Sequence, residues 1–444
     1  MGTGIDFIKI EGMHFTYRKE KIHLRGFGIG TWLNMEHFML GIPTPDEMIQ
    51  QSVAEICGEN KKEDFFKKFR RSFITEKDFA LLKECGVNFV RVPFNHRLFF
   101  KDNDIDHYKE ESFECFDRLF ELGRKYQIFI MPDLHTTPGG QNPDWHSDNS
   151  FGVPLFWKYQ TFRRQMTELW RTIAERYQNE PYLMGYDLLN EPAMADWNAV
   201  NEYYEETIAA IRTVDRNHII ILEGDMFSMD FSGLKHFEDK QIALGFHYYP
   251  TVWQPGLLER TLDRSVRKAQ IADGLDKLLS IRKEFERPAF CGEFGYGADC
   301  GGVDFTGNLL EDTLDLMAER DMDWCLWCYK DAHFMSLISP KRDGKWMVLA
   351  NVVKSKWNQD IEKTQADELM NLIQKKWFPE MTDKDKYLMQ FRLRACLYIL
   401  QKEYVLKAMF EQIAADELLT YSNEFQYENC QIQERMKGII KNFL

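Results

Sequence analysis

The sequence predicts a (β/α)8 barrel with a C-terminal helical extension, and three observations carry that expectation. Short runs rich in Val, Ile and aromatic residues alternate with longer amphipathic stretches, the pattern of βα units around a parallel sheet. Eight such runs begin near His23, Asn88, Ile128, Leu183, His218, Ile242, Ala289 and Trp324. Arg91, His135, Asn190 with Glu191, Glu223, His247 and Glu293 stand at or just before the C-terminal edges of those runs, edges that converge on one face of a closed barrel. A doubly wound open sheet is the alternative architecture, and it would scatter several of these residues.

Taken in order, residues 8–23 alternate in a way that suits a small hairpin closing the barrel bottom. The first run is followed by the longest excursion, residues 34–75, and loops of that length on the catalytic face commonly shape a pocket. Helical periodicity then marks residues 111–126, 155–177, 199–213, 265–285 and 308–319 between the later runs. After the eighth run, residues 364–377 read as the final barrel helix, with Pro379 as punctuation. From residue 383 the pattern is helical with no glycine until Gly438. The expected division is therefore a barrel with its N-terminal hairpin over residues 1–380 and a helical extension over 381–444. The Met, Phe and Leu stripe of that extension reads as packing on the barrel or on a second copy, so a homo-oligomer through these helices is expected.

Composition limits the function. Of 444 residues, 44% are hydrophobic and 28% charged, close to globular averages, which excludes disordered and fibrous classes. Acidic residues (70) outnumber Lys and Arg (56), a formal charge of −14, and such a surface repels phosphate backbones and anionic lipids. Neither nucleic acid nor membrane is expected as a partner. No stretch has the length of a membrane span or the apolar segment of a signal peptide. The nine cysteines are odd in number and scattered, as in a reduced, cytoplasmic protein. Cys325 and Cys328 form a C-x-x-C within an apolar run, where packing is the better explanation than metal or redox use.

Glu191 and Glu293 are the centre of the functional argument. Two carboxyls at the ends of different strands can flank one small volume, and glycoside hydrolysis needs that pair. One carboxyl protonates the leaving oxygen while the other attacks the anomeric carbon or activates water there. Each Glu taken alone is more often a solvated or salt-bridged side chain. Here Glu191 lies within Asn190-Glu191-Pro192 at the end of an apolar run, and Glu293 stands between Gly292 and Phe294-Gly295, where glycine permits close approach.

With Leu189-Asn190-Glu191-Pro192, Arg91-Val92-Pro93, Asp133-Leu134-His135, His247-Tyr248-Tyr249, Gly292-Glu293-Phe294 and Trp327 in this order, residues 26–329 resemble glycoside hydrolase family 5, a family of retaining barrel enzymes. The resemblance implies that Glu191 is the acid/base and Glu293 the nucleophile. It implies that Asn190 bonds the sugar 2-hydroxyl, that Arg91 keeps Glu293 ionised, that His135 and His247 border the subsite, and that Trp327 is a sugar platform. One of two tyrosines would bond the nucleophile: Tyr249 if the motif is H-x-Y, Tyr248 if it is H-Y. A metal on His135, His247 and Glu293 would fill the volume the sugar needs, so neither metal nor other cofactor is expected.

Trp32-Leu33 followed by Glu36, the run from Ile74 to Phe79, and Pro138-Gly139 with Gln141-Asn142 resemble the exo-acting branch of the family, typified by exo-β-1,3-glucanases, in which the counterpart of Glu36 bonds the terminal sugar. The loop Pro143-Asp144-Trp145-His146 and the helical tail depart from that pattern. They fit a subgroup acting on short oligosaccharides, with β-mannosidases cleaving mannosyl-β-1,4-N-acetylglucosamine as the first expectation. Exo-β-1,3-glucanase or β-glucosidase, an endo-acting glucanase or mannanase, and a glycan-binding barrel without hydrolysis are the alternatives. Trp145, like Glu36, is expected in the substrate pocket.

Overall fold

The computed structural model describes residues 5–36, 38–42, 44–101, 104–297, 302–356, 359–411 and 413–444. Eight parallel strands close into a barrel: β1 (Arg25–Gly28), β2 (Phe89–Asn95), β3 (Phe129–Thr136), β4 (Gly185–Asp187), β5 (Ile219–Glu223), β6 (Ile242–His247), β7 (Ala289–Phe294) and β8 (Trp324–Leu326). Each anticipated run supplies one strand, and β8 pairs with β1 to complete the ring. The near-continuous apolar runs follow from burial on both faces, inside against the opposite strands and outside against helices.

At the bottom of the barrel, Phe89, Phe129, Met131, Ile219, Ile221, Ala243, Phe290 and Cys325 form an apolar plug with Ile8, Phe15 and Leu24. The expected hairpin is a three-stranded antiparallel sheet, Lys9–Glu11, His14–Tyr17 and Glu20–Lys21. Its Phe15 is 1% exposed, and burying that ring contributes about 2 kcal/mol.

Most barrel strands are followed by a long helix, but β5 is not. Its connection holds only the single turn Asp225–Ser228, in which Met226 and Phe227 take left-handed φ values of 51° and 57°. The excursion of residues 34–75 is largely helical, with Asp46–Cys57 and Glu59–Phe73. The second of these buries Phe65, Phe66, Phe69 and Phe73 along one face, the spacing of an amphipathic helix.

The closing helix of the barrel differs from the expectation. Helix Gln359–Trp377 packs on helix Asp383–Gln401, whereas the last helix, Glu434–Phe443, lies beside Val303–Glu319. Lys437 and Lys441 of that last helix reach Glu84 at 3.0 and 2.8 Å. Arg25 of β1 donates to the Phe443 carbonyl at 3.1 Å. It thus sits between the helices that follow β7 and β1, where the eighth helix of a barrel belongs. Periodicity misassigned the position because both segments are amphipathic and only tertiary contact distinguishes them. The intervening chain is tied down by the antiparallel pair Ile338–Pro340 and Cys430–Ile432. Fully buried Lys330 adds bonds to Asp78 at 2.8 Å and to the Phe425 carbonyl at 2.9 Å. Cys325 and Cys328 are buried thiols without a disulfide, and Cys300 lies outside the described residues.

Candidate active site

The C-terminal strand edges gather the predicted residues around one cavity of about 430 Å³. Glu293 ends β7 and is 5% exposed; Glu191 follows β4 and is 8% exposed. Glu191 has a left-handed φ of 49°, a conformation costing on the order of 1 kcal/mol for a residue with a Cβ. Two bonds hold it there: its N–H donates to Glu223 Oε2 at 2.7 Å, and its carbonyl accepts from Asn142 Nδ2 at 3.0 Å. One carboxyl oxygen of Glu191, one of Glu293 and a ring nitrogen of His247 all lie within 4.8 Å of one another. That closeness is in keeping with the roughly 5–5.5 Å carboxyl separation of direct nucleophilic attack and short of the roughly 6.5–9.5 Å of inverting enzymes.

Arg91 of β2 is wholly buried and organises the floor. It donates to Glu293 Oε1 at 2.6 Å, Asp187 Oδ2 at 2.8 Å, Asn190 Oδ1 at 2.9 Å and Glu223 Oε1 at 2.9 Å. Asp133 lies 3.2 Å away. The barrel-interior salt bridge expected of this arginine is present, and Glu293 is one of its partners. Burial and the neighbouring Glu223 push Asp187 well above the usual carboxylate range despite Arg91. Burial also opposes ionisation of Glu223, but His247 and Arg91 together hold it at about 2.

The H-x-Y alternative is the one adopted. Tyr249 donates to Glu293 Oε2 at 2.8 Å, while Tyr248 turns away and donates to the Ile271 carbonyl. His247 Nδ1 lies 2.6 Å from Glu191 Oε1 and 3.6 Å from Glu293 Oε2. Burial disfavours the imidazolium, yet Glu223, Glu293 and Glu191 around it raise its pKa well above the ordinary histidine value.

At one end of the cavity stand Glu36, His135 and Trp327. The His135 and Trp327 rings are parallel, 4° apart in plane with centroids at 5.7 Å. A Cβ on Gly28 or Gly30 would lie 2.5 or 2.7 Å from the Trp327 indole, so the glycines of the first run make room for that ring. Glu36 Oε1 is 3.7 Å from His135 Nε2, buried, and without a hydrogen-bond partner. Asn190 Nδ2 is likewise buried and unpartnered. Burial, then Glu293 and Glu191, raise the Glu36 carboxyl well above its usual range. The unmet Glu36 oxygen lines the cavity and suits a polar ligand, since leaving such an atom unpaired costs about 1–3 kcal/mol.

The opposite end is aromatic. Phe227, Trp253, Tyr387 and Phe391 line it, with Phe227 6.1 Å from Phe391 and 6.4 Å from Trp253 between ring centroids. Tyr387 and Phe391 belong to helix Asp383–Gln401, so the tail is a wall of the cavity. Trp145 also lines the cavity while packing with Met48, Ala395 and Tyr398. Sequence reasoning missed Phe227, Tyr387, Phe391 and the contact of His146 with Glu191. Helical periodicity marks an apolar face without saying what it covers, and in the turn that presents Phe227 the left-handed positions fall on Met226 and Phe227, residue types that do not announce such a conformation.

The donor set Glu191, His247 and Glu293 has metal-ligand spacing among the described residues. Its atoms are already bonded to Arg91, Tyr249 and each other, and the adjacent guanidinium repels a cation, so the cluster does not fit a metal.

Comparison with known proteins agrees with this geometry. The family model described as Cellulase (glycosyl hydrolase family 5) matches residues 53–333. A β-xylosidase of Phanerodontia chrysosporium is 29% identical over 98% of this chain and 97% of its own length. Endoglucanase C of Acetivibrio thermocellus is 25% identical, covering 61% of this chain and 88% of its own. Glucan 1,3-beta-glucosidase 2 of Wickerhamomyces anomalus is 27% identical, covering 60% and 64%. Among solved structures, Thermotoga maritima Cel5A in complex with mannotriose superposes with a TM-score of 0.53 at 17% identity, over 70% of this chain and 91% of that one, a likeness of fold. The chain belongs to glycoside hydrolase family 5, whose enzymes hydrolyse glycosidic bonds with retention of anomeric configuration.

Proposed function

We propose that this protein is an exo-acting retaining β-glycosidase that removes single sugars from the non-reducing end of short glycosides. Glu293 attacks the anomeric carbon while Glu191 gives its proton to the leaving oxygen. Water, deprotonated by Glu191, then releases the sugar from Glu293. Arg91 and Tyr249 orient the nucleophile and Asn190 takes the 2-hydroxyl. His135, His247, Trp327 and Glu36 enclose the ring, and Trp145 backs the wall.

What supports exo action is Glu36, which lines the cavity, is buried and keeps an unmet oxygen beside His135, as a side chain that meets a terminal sugar would. Because the relative matching nearly the whole chain is named a β-xylosidase, β-xylosides and β-glucosides stand ahead of the mannosyl-β-1,4-N-acetylglucosamine expected from sequence. A screen of aryl β-xyloside, β-glucoside and β-mannoside ranks them. Digestion of a reducing-end-labelled oligosaccharide tests the mode: sugar-by-sugar shortening is expected, and early mid-chain fragments would refute it.

We also propose that residues 381–444 work as part of the catalytic unit, because Tyr387 and Phe391 line the cavity. Leu372, Trp377 and Phe378, just before the tail, and Ile399 and Tyr404 within it are exposed, which supports a second copy as their cover. Sedimentation of the wild type and of W377K tests this, a monomeric wild type overturning it. No helix of the described residues is long and apolar enough to cross a membrane, and the described cysteines are free thiols, which supports a reducing, cytoplasmic location.

A further inference from the structure

Glu223, which ends β5, is wholly buried and does not line the cavity, yet several groups of the site meet at its carboxylate. Oε1 accepts from Arg91 at 2.9 Å and lies 3.2 Å from His247 Nε2. Oε2 accepts from the backbone N–H of Glu191 at 2.7 Å and from the Ser228 hydroxyl. Arg91 does not require this partner for its charge, because Asp187 and Glu293 already accept from it. Burial opposes ionisation of Glu223, but His247 and Arg91 hold it at about 2, so both oxygens are acceptors at neutral pH.

What lies on the Oε2 side is the less rigid part of the site. Glu191 has a left-handed φ of 49°, a conformation that persists where its surroundings over-determine it. The turn after β5 is also left-handed, through Met226, Phe227 and Ser228. The two segments interlock: the Phe227 N–H donates to the Pro192 carbonyl at 3.0 Å, and the Ala195 N–H to Asp225 Oδ1 at 3.3 Å. Glu223 stands at the root of both, since its Oε2 takes one donor from each.

We propose that Glu223 is the positioning residue of the acid/base: its Oε2 fixes the backbone of Glu191, and with it the direction in which the Glu191 carboxyl enters the cavity. This rests on the reading of Glu191 as acid/base. In the first step the proton of Glu191 passes to the glycosidic oxygen, which keeps the electron pair of the broken C–O bond as Glu293 bonds the anomeric carbon. In the second step water gives a proton back to Glu191 as its oxygen displaces Glu293. One carboxyl serves both transfers at one place, so a peptide free to turn impairs both. Without the Glu223 carboxylate the Glu191 N–H is a buried donor that has lost its acceptor, at a cost comparable to the strain it holds in place.

The test measures kcat/KM of wild type, E223A and E223Q on the dinitrophenyl, nitrophenyl and phenyl β-glycosides of the sugar that the wild type hydrolyses fastest. These aglycones share one ring and differ in how much they need a proton to leave. Both variants are expected to lower kcat/KM about 100-fold for the phenyl glycoside and about tenfold for the dinitrophenyl one, a steeper dependence on leaving group than that of the wild type. Glutamine is expected to behave as alanine does, because one amide oxygen cannot serve both sides and the charge-assisted bond to Arg91 claims it. A loss of folded protein, or of the bond between Arg91 and Glu293, would lower all three rates alike, so equal losses across the series overturn the proposal. If E223A does not fold, E223Q decides, since it keeps the side-chain volume. E191A run alongside separates the two ideas. If E191A shows no steeper dependence than the wild type, the assignment of Glu191 itself fails; if it does and both Glu223 variants do not, the role of Glu223 alone fails.

Discussion

The two ends of the catalytic cavity are built in different ways. Around Glu293, the floor is made from strand termini: Arg91 of β2, His135 of β3, His247 of β6 and the residues just after β4 and β8. Most of these backbones are fixed by barrel hydrogen bonds and that of Glu191 by the side chains of Glu223 and Asn142, while Arg91 ties Asp187, Glu293, Asn190 and Glu223 together. Around Phe227, the wall comes from a kinked turn after β5 and a helix more than a hundred residues downstream of β4. It is held by aromatic packing. The difference separates a floor of charged and hydrogen-bonded groups, the kind of order that chemistry needs, from a wall built on looser apolar contact.

Perturbing the rigid end should have the largest effect. Glu293→Ala is expected to lower kcat on the order of 10⁵-fold, with azide restoring turnover as the α-glycosyl azide. Glu191→Ala should give the β-azide from an activated substrate, and opposite anomers would reverse the two roles. Next comes Glu36. Glu36→Ala should lower kcat/KM about 30-fold, close to 2 kcal/mol, by deleting a buried bond to a terminal hydroxyl. The Glu36 carboxyl is raised well above its usual range; if it donates as the neutral acid, Glu36→Gln should recover most of that loss, and a Gln variant as poor as Ala would mean the ionised form is the one used.

At the looser end, Phe391→Ala should lower kcat/KM about fivefold for a nitrophenyl glycoside and less for a methyl glycoside, since only the former reaches the aromatic wall. Equal losses would place the leaving group elsewhere.

The smallest effect concerns the latch between the two loops that enclose the cavity. Asp46 accepts from the Met35 N–H and from Asn95 Nδ2, each at 3.2 Å, and Asn95 also donates to Asp148 at 3.1 Å. Burial, then the Asp148 charge, raise Asp46 from 3.8 to about 7. A carboxyl raised on folding stabilises fully below its unfolded pKa, and the contribution is lost as pH rises through about 7. Melting temperature should therefore fall by on the order of 3 °C between pH 5 and pH 8 from this group. Asp46→Asn should flatten that slope, and an unchanged slope would assign it to another group.

All eight barrel strands were legible because a strand buried on both faces must be apolar throughout, and Glu191 and Glu293 because their neighbours are unusual for strand ends. The H-x-Y ambiguity was not legible: Tyr248 and Tyr249 are adjacent and chemically alike, and only the direction in which each leaves the end of β6 separates a bond to Glu293 from one to Ile271. The closing helix was misplaced for a related reason, since residues 359–377 and 434–443 both present one apolar face.

By itself, then, the sequence determined the barrel, the face that carries the chemistry and the carboxyl pair at its centre, because strand burial and backbone alternation are local properties readable residue by residue. Only the tertiary structure decided that helix Asp383–Gln401 walls the cavity, that Glu434–Phe443 closes the ring and that His146 meets Glu191. Those contacts join segments far apart in the chain, and what brings them together is the shape of the surfaces they bury.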